Sequence, residues 1–121
     1  MILVVDDNTL NRMILMKLIR HMGLVGYTAT NGVEAIAAVK EKSEINLILM
    51  DLMMPVMDGY EATRKIREFK SIDSLPIVAV TADSTEGLFE KCAEVGCNEY
   101  ITKPIKKEVI EQILKKYLPK T

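Results

Sequence analysis

The chain has 121 residues, with 16 basic against 17 acidic side chains and a net charge of −1. That is the size of one ordinary domain, able to bury about two-thirds of its unfolded surface without a metal or disulfide staple. The even charge balance argues against direct nucleic-acid binding, and no apolar stretch approaches the ~20 residues that span a membrane.

In chain order, Ile2–Val5 reads as a buried strand, and Asp6 and Asp7 follow it directly. Met1 opens that strand at once, so no signal peptide is expected and a cytoplasmic setting is. Such a start fits a complete small protein or a domain of a longer one. The next stretch, to Met22, is helical, with Ile14, Leu15, Leu18, Ile19 and Met22 on one face. Leu10, Met13 and Met16 fall outside that face, and Gly23 fits a helix stop.

Val25–Ala29 predicts a second strand. Asn31 with Glu34, and later Asp58 with Glu61, each look like an N-cap with its reciprocal partner. Leu47–Met50 predicts the third strand, ending at Asp51, and Ile77–Val80 the fourth, ending at Thr81. Gly96 fits another helix stop, Tyr100–Thr102 predicts the fifth strand, and Lys103 follows it. Val109, Ile110, Ile113, Leu114 and Tyr117 recur at helical spacing before Pro119. Cys92 and Cys97 lack zinc spacing and are expected to be reduced, buried thiols.

Strands alternating with helices predict an α/β fold: five parallel strands covered on both faces, (βα)5 and doubly wound. In the flavodoxin-like order 2-1-3-4-5 the winding reverses between strands one and three, and ligands bind there, at the carboxyl ends. Those are the strands that end in Asp6/Asp7 and Asp51. Carboxylates ~4 Å apart repel by roughly 4 kcal/mol per pair at an effective dielectric near 20. A bound cation or a raised pKa relieves such a cluster.

Four phrases stand in order: Val4-Val5-Asp6-Asp7-Asn8; Met50-Asp51-Leu52-Met53-Met54-Pro55-Val56-Met57-Asp58-Gly59; Val80-Thr81-Ala82; and Tyr100-Ile101-Thr102-Lys103-Pro104. Together they closely resemble the receiver domain of two-component response regulators, over essentially the whole chain (1–121). The resemblance implies a signalling switch that is not a turnover enzyme on an external substrate. It would catalyse its own phosphorylation from a phosphohistidine and its own slow dephosphorylation.

On that resemblance Asp51 is the phosphoacceptor. Asp6, Asp7, Asp51 and the Met53 backbone carbonyl would hold Mg²⁺ (or Mn²⁺), Asp6 through water. Lys103 and Thr81 would contact phosphoryl oxygens, with Ala82 as the small residue beside them. Tyr100 would change rotamer as Thr81 moves, and Lys103-Pro104 would be a cis peptide. The face of helix four, strand five and helix five would then change shape for a partner. Met53, lacking polar atoms on its side chain, would not orient a hydrolytic water, so the phosphate should persist.

Asn8, Asn11-Arg12 and Asp58-Gly59-Tyr60-Glu61-Ala62 look most like receivers of hybrid sensor kinases and phosphorelays. The expected partners are a histidine kinase or a histidine phosphotransfer domain, docked on Leu10 and Met13, with the chain a monomer or a weak phosphorylation-dependent dimer. Plainer readings stand beside these. Asp58 and Asp83 suit helix caps, His21 a surface position, Tyr100 a half-buried strand aromatic, and Leu10 and Met13 scattered exposure. Competing functions are an inactive receiver-like adaptor, a flavin-binding electron carrier and an aspartyl-phosphate hydrolase. The acidic loop after strand one disfavours the flavin, and Leu52 and Met53 after Asp51 disfavour the hydrolase.

Overall fold

The computed structural model describes residues 1–82 and 87–118, so the expectations for Asp83 and Pro119 lie outside the described residues. Strands β1 (Ile2–Val5), β2 (Gly26–Ala29), β3 (Leu47–Asp51), β4 (Ile77–Thr81) and β5 (Glu99–Thr102) alternate with helices. The helices are α1 (Thr9–His21), α2 (Gly32–Glu41), α3 (Gly59–Ile66), α4 (Leu88–Val95) and α5 (Lys107–Tyr117). All strand pairs are parallel, in the order β2-β1-β3-β4-β5. The doubly wound arrangement expected from the sequence is therefore the observed one.

Side chains alternate between the two faces of the sheet. Leu3, Val5, Ile48 and Met50 pack with α2, α3 and α4 residues, among them Ala35, Ile66 and Cys92. Ile2, Val4, Leu47 and Leu49 pack with α1 and α5 through Leu15, Ile19, Ile110 and Leu114. Each fully buried side chain of this size contributes roughly 1.5–3 kcal/mol, so the two layers are the main source of stability. Cys92 and Cys97 are free and buried, as expected. Burial and the neighbouring Cys92 push the Cys97 thiol up to about 12.

Helix ends follow local chemistry. Asn8, Asn31 and Asp58 each cap a helix by accepting from the backbone N–H three residues on. Glu34 does not complete the expected reciprocal bond to Asn31. Its carboxylate instead accepts from the Thr30 N–H at 2.8 Å and hydroxyl at 2.9 Å, one residue further back. Gly23 and Gly96 both adopt the left-handed backbone that a helix stop uses.

Helix α1 departs from its expected face at two positions. Ile14, expected on the buried face, is 39% exposed. Met16, expected outside that face, packs against the α1/α5 core, its sulfur filling the space that a side chain at Gly26 would need. The helix is rotated so that Leu15 and Ile19 meet the sheet, and the flexible Met16 reaches round to cover β2. Val25 lends only its carbonyl to the sheet, accepting from the Ile2 N–H at 2.8 Å. Among the described residues no helix is long and apolar enough to cross a membrane.

Candidate functional site

Strand register brings the polar residues together. Val5 pairs with Met50, so Asp6 and Asp51 end neighbouring strands side by side. Asp51 pairs with Val80, and Thr81 pairs with Thr102, so Thr81 and Lys103 continue the row across the sheet. The Lys103 N–H also donates to the Thr81 carbonyl at 2.7 Å, tying those two residues together.

Asp6 and Asp51 are buried and Asp7 is exposed; one carboxylate oxygen from each lies within 4.8 Å of the others. Lys103 Nζ is 3.3 Å from Asp6 Oδ2 and 3.4 Å from Asp51 Oδ2. One ammonium thus faces three carboxylates, leaving excess negative charge at the rim. Asp6 Oδ1 accepts from the Asn8 N–H at 2.9 Å, while the buried Asp6 Oδ2 has only the Lys103 ammonium, which it shares with Asp51 and meets outside good hydrogen-bond geometry. One shared ammonium leaves this carboxylate cluster under-compensated, and a hard cation on the acidic rim would offset the excess charge. The residues present therefore fit a divalent metal with oxygen ligands.

The electrostatics agree. Burial and, after it, repulsion from Asp6 push the Asp51 carboxyl up to about 6, although Lys103 and the Met53 N–H act in the opposite direction. The Met53 N–H sits 3.3 Å from Asp51 Oδ1, so the backbone just past β3 touches the same carboxylate. Asp6, Asp7, Asn8, Asn11, Asp51, Met53, Ala82 and Lys103 line one cleft of about 300 Å³. It can receive a tetrahedral anion together with a cation, with the buried carboxylates of Asp6 and Asp51 side by side in it.

Tyr100 lies outside this cleft, half-buried on β5 and packed edge-to-face on the exposed Phe89 of α4. The Lys103–Pro104 peptide is cis, and Pro104 lines a second groove with Tyr100, Ile101 and Val109. Leu10 and Met13 stand outside the cleft on α1, each 63% exposed. Asp58 is a cap, and His21 is on the surface.

Two residues that the sequence marks only as parts of family-like phrases, with no role assigned, bear on the site. The Arg12 guanidinium donates to the Asp6 carbonyl at 2.8 Å, bracing the turn that holds Asp6 and Asp7. Gly59 lies so close beneath β3 that a Cβ there would stand 2.2 Å from the Asp51 carbonyl oxygen. A glycine at the first helical position, straight after an Asp cap, was the available signal. Almost any residue forms helix better there, so something must approach it closely.

Comparison with known proteins gives a consistent result. A family model described as the response regulator receiver domain matches residues 2–115. Hybrid signal transduction histidine kinase B of Dictyostelium discoideum is 44% identical over 129 aligned residues, covering 97% of this chain. The chain spans only 6% of that kinase's length. Among solved structures, the receiver domain of Saccharomyces cerevisiae Ssk1, crystallised with the histidine phosphotransfer protein Ypd1, matches with a TM-score of 0.88 and 32% identity. That match covers 96% of this chain and 86% of the other. The receiver of Pseudomonas aeruginosa histidine kinase PA1611, with magnesium in its active-site cleft, matches with a TM-score of 0.87 and 34% identity. It covers 98% of this chain and 97% of that one.

Proposed function

The chain belongs to the response regulator receiver domain family, and on that premise we propose that Asp51 accepts a phosphoryl group from a phosphohistidine. The observation that carries this reading is the buried Asp51 carboxylate, set between acidic neighbours and the Lys103 ammonium. Asp6, Asp7, Asp51 and the Met53 carbonyl would hold Mg²⁺ (or Mn²⁺). When bound, the ion offsets the crowded negative charge and stabilises phosphoryl oxygens during transfer.

The chain's own groups do the rest. An Asp51 oxygen attacks phosphorus, the P–N bond breaks, and the donor imidazole leaves with the bonding pair. Lys103, already beside Asp51 Oδ2, turns to a phosphoryl oxygen as a point charge. The Thr81 hydroxyl donates to another oxygen, and Ala82 leaves room for the group. Phosphorylation converts one negative charge into roughly two and adds acceptor oxygens. Thr81 and Lys103 are then drawn inward together, and Tyr100 turns into the space left behind. The α4–β5–α5 face changes shape, and a partner reads that change.

The donor or acceptor protein would be a histidine kinase or histidine phosphotransfer domain docked on α1 through Leu10 and Met13. The exposed Ile14 extends that apolar surface. We place the whole chain, 1–121, in this one unit.

The test is incorporation of phosphate from acetyl phosphate, read by intact-protein mass spectrometry. One phosphoryl group is expected with Mg²⁺ and none with chelator or in Asp51→Asn. Equal labelling of Asp51→Asn would rule the assignment out.

A further inference from the structure

The loop between β3 and α3, residues 52–58, carries the Met53 carbonyl. Its two ends are closed by the Gly59 N–H, which donates to the Leu52 carbonyl at 3.0 Å. At its crown the Met57 N–H donates to the Pro55 carbonyl at 2.8 Å, across a three-residue turn. Val56, at the centre of that turn, has φ 71° and is 81% exposed. A β-branched residue in this left-handed region is strained, and here its side chain gains no burial in return. Something else must hold the loop in shape.

Among the described residues, one backbone hydrogen bond reaches this loop from an element other than β3 and α3. The Gly32 N–H donates to the Met57 carbonyl at 3.0 Å. Gly32 is the first residue of α2, directly after the Asn31 cap. The contact is closed: a Cβ at Gly32 would stand 2.8 Å from Met57 Cγ, 2.9 Å from the Met57 carbonyl oxygen and 3.0 Å from Ala62 Cβ. The Met57 side chain could yield; its backbone oxygen and the α3 residue Ala62 could not do so cheaply. Helix energetics gives no reason for glycine at this position, since alanine is the better helix former.

We infer that Gly32 is a positioning residue for the metal site, acting through Met57 on the loop that carries the Met53 carbonyl. This rests on the metal-site reading above. A push at Met57 passes down a short, closed loop to Met53, whose N–H touches Asp51 Oδ1 and whose carbonyl faces the acidic rim in that reading. Mg²⁺ demands near-ideal octahedral geometry, whereas Ca²⁺ takes longer and more variable oxygen contacts. A small displacement of the loop should therefore penalise Mg²⁺ selectively.

Calorimetric titration of the full chain with Mg²⁺ and with Ca²⁺ tests this, comparing wild type, Gly32→Ala and the exposed α2 control Val33→Ala. Gly32→Ala is expected to lose roughly tenfold or more in Mg²⁺ affinity, the scale of an outer-shell change. Its Ca²⁺ affinity should stay within about threefold, and Val33→Ala should match wild type for both ions. Unchanged Mg²⁺ affinity in a folded Gly32→Ala would overturn the inference, as would a parallel fall for both ions. Should Gly32→Ala not fold, Met57→Leu presses the same contact more gently and must lower Mg²⁺ affinity in the same sense; no change there also overturns it. A wild type that binds no Mg²⁺ would instead remove the metal-site reading itself.

Discussion

At the scale of single residues, Asp51 concentrates the conflict in this molecule. Its carboxyl titrates at about 6 because burial and then the Asp6 charge oppose ionisation. The folded protein therefore binds that proton more tightly than the unfolded chain does. The stability this contributes is full below about pH 4 and is lost as pH rises through about 6. Metal-free Asp51→Asn removes the penalty and should be more stable than wild type near pH 7.5, by about 1–3 kcal/mol. The gain should vanish near pH 4. Urea melts with chelator at both pH values check this; a gain independent of pH would contradict the assigned cause. Met53, 68% exposed at the cleft rim, gives a second expectation. Its side chain cannot hold a water by hydrogen bonds, so Met53→Asn should lose phosphate faster than wild type in a decay assay. Equal half-lives would show that the side chain plays no part.

At the scale of elements, the proposed docking surface lies on α1. The helix contains Arg12, Lys17 and Arg20 and no acidic residue, and it leaves Leu10, Met13 and Ile14 uncovered at helical spacing. The double variant Leu10→Lys/Met13→Lys should slow transfer from a phosphohistidine protein at least tenfold while leaving acetyl phosphate labelling unchanged. Single-turnover assays with both donors decide it, and equal loss with both would refute docking at α1. On the opposite side, Arg67 anchors α3 to α4 and β5. Its guanidinium donates to the carbonyls of Gly96, Lys70, Ser71 and Leu75 and to Asn98 Oδ1. Arg67→Met strands several part-buried acceptors and should cost roughly 3 kcal/mol or more in chemical denaturation. Arg67→Lys should recover only part, because a point charge cannot reach so many acceptors at once.

These elements also show where a sequence can be read and where it cannot. The three central strands β1, β3 and β4 were legible because each is a short, buried apolar run, and β2 and β5 because they hold β-branched and aromatic residues; every strand but β2 leads into a polar residue at the site. The caps at Asn31 and Asp58 were legible because they act on residues only three away, whereas the cap at Asn8 was not read from the sequence. What escaped was set by contacts distant in sequence. Ile14 and Met16 exchange roles because α1 is rotated on the sheet, a matter of packing against Gly26. Arg67 reads as one more cation on a helix until its acceptors, up to 31 residues away, are assembled around it. Gly32 and Gly59 follow caps and look like ordinary turn residues; only the fold shows the backbone pressed against them.

At the scale of the whole molecule, the proposed switch works only if charge at the cleft is felt on the α4–β5–α5 face. The Lys103 N–H bond to the Thr81 carbonyl and the edge-to-face pair of Tyr100 with Phe89 are two physical links along that route. A partner can exploit only the difference in its affinity for the two states. Moving a 1:99 population to 99:1 takes about 5.5 kcal/mol, so the phosphoryl group must favour one arrangement strongly. The direct measurement is an amide NMR comparison of the Mg²⁺-bound chain with and without beryllofluoride, a phosphoryl mimic. Large shifts are expected at Ala82, Phe89 and Tyr100 in addition to those at Asp6, Asp7, Asp51 and Lys103. Shifts confined to the cleft, with the mimic bound at Asp51 and the α4–β5–α5 face unmoved, would contradict the proposed switch.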